Sequence, residues 1–175
     1  MEIFLDIEAS SLKGDIGQIV AIGIIKNGKK EVKFVENLED EKNSLEWLKN
    51  EIKDCETVIT WYGSSFDLPF LLTRALIHGV DLSELEKINS LDLCEICRKK
   101  FLFSKKNLSD VAKVLSIKKD DEISGKDVLK YYMKAIKGDE KAKEVIIKHC
   151  LNDLEMLEEI YKKVKPYLNL TTKNP

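Results

Sequence analysis

Glycine and proline are scarce in this sequence, with 8 Gly and 3 Pro among 175 residues. Their combined share lies well below the roughly 12% of average proteins, while 43% of the residues are hydrophobic. This composition excludes a low-complexity or disordered chain, because such chains are poor in apolar residues. It indicates a globular protein with many secondary-structure elements and short connections, and the length predicts a single domain over residues 1–175.

Neither an excess of one charge nor a long apolar run is present. Lys and Arg number 29 against 31 Asp and Glu, a net charge of −2, which excludes a uniformly basic nucleic-acid-binding protein. A nucleic-acid enzyme stays compatible with this balance, because divalent metal ions can supply positive charge beside phosphate. The longest apolar run, residues 19–25, is far shorter than the roughly 20 residues of a membrane span. The N-terminus lacks the pattern of a signal peptide, so we predict a cytoplasmic protein without a membrane partner.

Cysteine is also rare, with four residues in the whole chain. Cys94 and Cys97 form a CxxC pair, but no second pair or neighbouring histidine completes a zinc site. Both lie in a helical pattern that places small apolar residues on one face. We interpret them as buried free thiols, which stay reduced in the cytosol.

The hydrophobic pattern predicts an α/β fold with a mixed sheet flanked by helices. Asn27-Gly28 predicts a hairpin between the second and third strands, so the chain begins with an antiparallel meander. A helix then returns the chain so that the fourth strand lies parallel to the first. Strands are predicted at residues 2–8, 17–26, 29–36, 57–61 and 88–93, and helices at 41–53, 67–78, 93–103, 108–115, 126–136 and 139–163.

Three acidic residues are predicted to meet where two neighbouring strands end. Asp6 and Glu8 lie two residues apart on the first strand and therefore project from the same face. Burial of two acids is costly unless positive charge neutralises them; the alternative is an edge strand with solvated acids. Asp67 follows the fourth strand, where it is either a helix N-cap or a neighbour of the first two acids at the carboxyl edge of the sheet.

The last helix adds His149 and Asp153, which are four residues apart and share one helix face. Alone, such a histidine is more often a core residue with a satisfied hydrogen bond. Four converging carboxylates suit two divalent cations about 3.5–4 Å apart, and their oxygen ligands favour Mg²⁺ or Mn²⁺. His149 has a suitable pKa range to orient or deprotonate a water molecule. The predicted reaction is hydrolysis of a phosphodiester.

Two further residues are predicted to contact a nucleic-acid strand. Tyr62 follows the fourth strand and can stack on a terminal base, whereas we interpret the preceding Trp61 as a core residue. Arg98 begins the densest basic patch, which continues to Lys106 and includes two phenylalanines. Such a patch suits a phosphate backbone, although a solvated helix face has the same composition.

Three motifs resemble those of the DEDD exonuclease superfamily. Asp6-x-Glu8 resembles the first motif, residues 65–71 resemble the second, and His149-x-x-x-Asp153 resembles the third. The resemblance implies a ribonuclease H-like fold and a 3′→5′ exonuclease that acts on single-stranded DNA or RNA with a free 3′ end. It also implies two metal ions, and it assigns site residues by their positions in the motifs. The implied metal ligands are Asp6, Glu8, Asp67 and Asp153, and the implied general base is His149. Ser65 and Phe66 of the second motif join Tyr62 and Arg98, which lie outside the motifs, as substrate-binding candidates.

Within this superfamily, the sequence is most similar to the YprB-type predicted exonucleases. One branch has Tyr four residues before the last Asp and another has His five residues before it, whereas His149 stands four residues before Asp153. The stretch at residues 123–125 is also similar to the YprB type. Two alternatives remain on the same fold: a nucleic-acid-binding module without catalysis, and an endonuclease of the ribonuclease H type.

Overall fold

A computed structural model describes residues 1–118 and 123–168 of the protein. Five strands form one mixed sheet in the order β3-β2-β1-β4-β5, and helices flank it, so the predicted fold class is confirmed. The strands are β1 (Glu2–Ala9), β2 (Ile19–Lys26), β3 (Lys29–Phe34), β4 (Thr57–Thr60) and β5 (Asn89–Asp92). The helices are α1 (Leu38–Glu51), α2 (Asp67–His78), α3 (Leu93–Lys100), α4 (Leu108–Val114), α5 (Val128–Ala135) and α6 (Glu140–Val164), with short 3₁₀ turns at Ser83–Glu86 and Lys165–Tyr167.

The strand directions follow the sequence prediction. β1 pairs antiparallel with β2, and β2 pairs antiparallel with β3. Asn27 and Gly28 join β2 to β3 with φ angles of 52° and 75°. This is the backbone conformation of a type I′ hairpin turn. β4 lies parallel to β1, and β5 lies parallel to β4. β1 is therefore the central strand, and its carboxyl end lies beside that of β4.

Each face of the sheet carries its own apolar core. The alternation in β1 directs Ile3, Leu5 and Ile7 toward α1 and α2. On the other face, Phe4 packs with apolar residues of α3, α4 and α6. A smaller cluster, which includes Tyr132, joins α5 to β2. Any polar side chain on the Phe4 face of β1 therefore lies toward α6.

Two predicted helix boundaries differ from the structure by three residues, more than any other. α1 begins at Leu38, three residues before the predicted start, because the Asn37 side chain accepts hydrogen bonds from the first backbone N–H groups of the helix. α3 ends at Lys100, so Phe101 and Phe103 do not lie on a helix face as predicted. Phe101 is extended, and its ring contacts Tyr167 at 5.6 Å between centroids. This tertiary contact outweighs the local helical pattern.

The predicted domain over residues 1–175 includes residues 119–122 and 169–175, which lie outside the described residues. In the described part of the chain, no helix has the length and the apolar character that crossing a membrane requires.

Candidate active site

Asp6 and Glu8 lie on the central strand, on the face that α6 covers. Glu8 is buried with 7% of its surface exposed, and a register shift follows it in the pairing with β2. Asp6 is partly exposed, yet its Oδ2 atom is buried without a hydrogen-bond partner. The two acids therefore do not lie on a solvated edge strand; β1 has a neighbour on each side.

Asp67 is the first residue of α2, but its side chain does not cap that helix. The capping position belongs to Phe66, and no side chain makes the cap hydrogen bond there. Oδ1 of Asp67 instead accepts a hydrogen bond of 3.0 Å from the backbone N–H of Ile7, the residue between the two acids of β1. Burial raises the pKa of Asp67 to about 7, and the Asp92 charge acts in the same direction. This contact connects the carboxyl ends of β1 and β4.

The middle of α6 adds a histidine and a fourth acidic residue, Asp153, to the site. Nε2 of His149 lies 3.6 Å from Oε1 of Glu8 and 3.9 Å from Oδ2 of Asp153. One ligand atom from each of these three residues lies within 4.8 Å of the other two. The same holds for Asp6, Glu8 and Cys150. Glu8 belongs to both groups, so the two groups form one cluster.

Negative charge accumulates in this cluster. Burial raises the pKa of Asp6 well above its ordinary value. The charges of Glu8, Asp67 and Asp153 raise it further, and a hydrogen bond from the Cys150 thiol opposes the shift. Carboxylate oxygens with this excess of negative charge are the donor set that a hard divalent cation prefers.

The cluster opens into a cleft of about 390 Å³, whose walls include Asp6, Glu8, His149, Asp153 and Phe66. Phe66 also borders a neighbouring cavity of about 380 Å³. Of the predicted substrate-binding residues, Ser65 lines this second cavity. The second motif therefore contributes to both cavities.

Tyr62 and Arg98 lie together, but neither lines the cleft. The Arg98 guanidinium is 5.3 Å from the centroid of the Tyr62 ring, and Tyr62 is 43% exposed. Arg98 lines a separate cavity together with Trp61, and Trp61 packs against the core as predicted. Of the four predicted substrate-binding residues, Phe66 alone lines the cleft of the carboxylate cluster, Ser65 lines the neighbouring cavity, and Tyr62 and Arg98 line neither.

Two residues outside the predicted site support it. Asp92 caps α3 and accepts hydrogen bonds from the backbone N–H groups of Tyr62 and Ser64. Asp92 therefore holds the loop that leads to Asp67. In the sequence, its position directly before a predicted helix is the signal for this role. Cys150 packs against β2 at Gly23, where a Cβ atom would lie 2.5 Å from its sulfur. In the sequence, the only signal for Cys150 is its position directly after His149.

Comparisons with known proteins agree with this architecture. The uncharacterized protein MJ0365 of Methanocaldococcus jannaschii is 29% identical over 163 residues, which cover 90% of this chain and 92% of that protein. The fold also matches the family B DNA polymerase of the archaeon Pyrobaculum calidifontis with a TM-score of 0.82 at 19% identity. That match covers 95% of this chain but only 25% of the polymerase chain. Because a family model described as RNase_H superfamily matches residues 3–165, the protein belongs to the RNase_H superfamily.

Proposed function

We propose that the protein is a metal-dependent 3′→5′ exonuclease that hydrolyses phosphodiester bonds of single-stranded DNA or RNA. Membership of the RNase_H superfamily supports a nuclease-type function and a nucleic-acid substrate. The observation that carries the proposal is the cluster of Asp6, Glu8, His149 and Asp153 in one cleft, with Asp67 bonded to the strand between the first two. Within the superfamily, the histidine spacing favours a relation to the YprB-type exonucleases.

The carboxylates of the cluster, together with the neighbouring Asp67, are proposed to hold a pair of Mg²⁺ or Mn²⁺ ions. Asp6, Glu8, Asp67 and Asp153 would hold them, and the buried Oδ2 atom of Asp6, which has no hydrogen-bond partner, is a suitable ligand atom. When bound, two such ions activate a water molecule and stabilise the leaving oxygen. Without a cation, these carboxylates repel one another, which adds to the effect of burial in raising the pKa of Asp6.

His149 is proposed to handle the proton of the attacking water. Its Nε2 atom points into the carboxylate cluster, 3.6 Å from Glu8, and the ring is 2% exposed. A general base must lie within hydrogen-bonding reach of the proton that it removes, directly or through one water molecule. The position of Nε2 at the cleft meets this condition for a water bound near Glu8.

The size of the cleft favours attack at a strand end. Its volume of about 390 Å³ is in the range of small-ligand sites, which suits one terminal nucleotide and not a duplex. Phe66 lines this cleft and Ser65 lines the cavity beside it, and both are proposed to contact the terminal nucleotide. Tyr62 and Arg98 are proposed to contact the strand farther from its end.

A degradation assay tests this proposal. Single-stranded RNA and DNA with a 5′ label are incubated with Mg²⁺, Mn²⁺ or a chelator, and the products are separated by length. We expect stepwise shortening from the 3′ end that the chelator stops. Asp6→Asn should reduce the rate by at least about a thousandfold, whereas the matched surface variant Asp54→Asn should retain it, since Asp54 is exposed.

Three results would contradict the proposal. Full activity of a pure Asp6→Asn protein would exclude the metal assignment. Cleavage of a strand whose 3′ end is blocked, at the same rate as an open strand, would identify an endonuclease. Binding of both strands without any shortening would identify a nucleic-acid-binding module.

A further inference from the structure

The cavity that Arg98 and Trp61 line lies at the same edge of the sheet as the candidate active site. It has a volume of about 250 Å³ and is formed by Trp61, by α3 and α4, and by the segment from Phe101 to Lys106. Trp61 directly follows β4, and α3 directly follows β5. These strands are the first and second neighbours of β1, so the strand ends beside the cavity lie roughly 5–10 Å from β1 along the sheet. We call it the α3 pocket.

The inside of the α3 pocket is apolar and aromatic. Cys94, Cys97 and Val111 form part of its lining and are buried. Burial raises the pKa of Cys97 to about 11, so its thiol is neutral and adds no charge. The rings of Trp61 and Phe103 are partly exposed in the lining. A flat, apolar group that is large enough to contact both rings would suit this interior.

The entrance of the α3 pocket is positively charged. Arg98, Lys105 and Lys106 line it and are exposed, although the whole chain has a net charge of −2. Lys105 also contacts Asp110 at 3.5 Å, a surface ion pair of the kind that contributes little and that a phosphate can replace. An aromatic interior beside several cations is the combination that binds single-stranded nucleic acid.

We propose that the α3 pocket binds an unstacked base of the substrate strand, upstream of the bond that is cleaved, while Arg98, Lys105 and Lys106 contact the adjoining phosphates. The inference rests on the proposed function, because it takes the strand to end in the cleft at Asp6. A lateral distance of roughly 5–10 Å corresponds to about two or three stacked nucleotides at about 3.4 Å each. Tyr62, with Arg98 beside its ring, lies on the loop between the two sites.

This assignment predicts that the pocket distinguishes long strands from short ones. A dinucleotide in the cleft does not reach the pocket, whereas an oligonucleotide of about twelve residues occupies both sites. A duplex cannot insert a base without unpairing it. The pocket therefore selects single strands and adds affinity without touching the reacting atoms.

The test is calorimetric titration of unlabelled oligothymidylates, a dinucleotide and a strand of about twelve nucleotides, in the Asp6→Asn background, which prevents degradation. Two variants change the pocket independently: Phe103→Leu removes a ring but keeps an apolar side chain, and a double variant replaces Lys105 and Lys106 by Glu. The matched control replaces Lys42 and Lys53 by Glu, since both are exposed lysines with the same change of charge. Thermal unfolding verifies that each variant is folded.

We expect each pocket variant to weaken binding of the longer strand by roughly tenfold and to leave dinucleotide binding within about twofold. The lysine control should weaken both ligands slightly and equally. Equal losses for both ligands, or no loss beyond that of the control, would overturn the pocket assignment. If the wild-type protein shortens strands while the variants bind normally, only the pocket is excluded. If the variants lose long-strand binding but the wild-type protein hydrolyses nothing, only the nuclease proposal is excluded.

Discussion

The protein buries carboxylates on both faces of its sheet, and the two faces neutralise them differently. On the face of α1 and α2, Glu41 is fully buried and receives two hydrogen bonds of 2.8 and 2.7 Å from the Arg74 guanidinium. The backbone N–H of Ile19 and the His78 ring complete its contacts. On the face of α6, Asp6 has acidic neighbours instead, and its Oδ2 atom has no hydrogen-bond partner.

The pKa values of the two acids move in opposite directions. Burial raises the pKa of Glu41, but the hydrogen bonds from Arg74, Ile19 and His78 outweigh burial and leave the pKa below its ordinary value. Burial and neighbouring carboxylates leave the pKa of Asp6 well above its ordinary value. A buried acid that has its own cation stabilises the fold, whereas a group of acids that raise one another's pKa values is suited to a cation from solution.

The largest expected effect is a difference in stability between two variants, each of which neutralises one acid: Glu41 on one face and Asp6 on the other. Glu41→Gln should lower the free energy of unfolding by roughly 3–5 kcal/mol, because it leaves the Arg74 charge buried without its counter-charge. Asp6→Asn should leave the stability of the metal-free protein unchanged or raise it, because it removes repulsion. Denaturant unfolding of both variants in chelator measures the difference. Equal losses would mean that Asp6 is a structural acid like Glu41.

Metal binding should also distinguish Asp6 from Glu41, with a smaller effect on stability. Mg²⁺ or Mn²⁺ at about a hundred times its dissociation constant should stabilise the protein by about 2.7 kcal/mol, provided that it binds only the folded state. Thermal unfolding with and without chelator measures this shift. Glu41→Gln should start from a lower melting temperature and keep the shift, whereas Asp6→Asn should lose it. A shift that survives in Asp6→Asn would place the ion elsewhere.

The sequence predicts one of these acidic sites and does not predict the other. Asp6 and Glu8 are two residues apart on a strand, so a local pattern places them on one face. The predicted crossover that sets the fourth strand parallel to the first gives that strand a neighbour on each side. Glu41 and Arg74 are 33 residues apart, and each lies in an amphipathic helix where a charged residue normally faces solvent. Their contact depends on how α1 and α2 pack, which no local pattern specifies.

The same limit applies to details of the candidate site. Local spacing indicates that His149 and Asp153 share a helix face, and topology indicates that Asp67 lies near β1. The hydrogen bond from the Ile7 N–H to Asp67 depends on the exact approach of α2 to the sheet. The end of α3 likewise depends on a contact between Phe101 and Tyr167, two residues that are far apart in the sequence.

In chelator, Asp67 and Glu41 should change the melting temperature of the protein in opposite directions as the pH changes, by a few degrees. The pKa of Asp67 is raised from 3.8 to about 7, so its contribution to stability is complete below its unfolded-state pKa and is lost as the pH rises through about 7. The lowered pKa of Glu41 has the opposite sign, with a contribution that is present above 4.5 and is lost as the pH falls below that value. Between these limits the metal-free protein should become less stable as the pH rises.

Asp67→Asn should flatten that pH dependence, since an amide does not titrate. Melting curves in chelator at about pH 5 and about pH 8 measure it. Saturating Mg²⁺ should also flatten it, because a bound cation takes the place of the proton. An unchanged slope in Asp67→Asn would assign the titration to another group.

The smallest expected effect concerns Asp92, another buried acid, which backbone N–H groups and a hydroxyl stabilise. Its carboxylate accepts hydrogen bonds from the N–H groups of Tyr62, Ser64 and Cys94, and one of 2.6 Å from the Ser64 hydroxyl. Asp92→Ala should cost about 1 kcal/mol of stability through the lost helix cap. Because the released loop leads to Asp67, activity should also fall, by roughly tenfold, far less than in Asp6→Asn.

Asp92→Asn keeps one acceptor oxygen and should lie between Asp92→Ala and the wild type in both measurements. If Asp92→Ala instead lost activity as completely as Asp6→Asn at nearly unchanged stability, Asp92 would belong with the metal-binding acids and not with those that the protein stabilises itself.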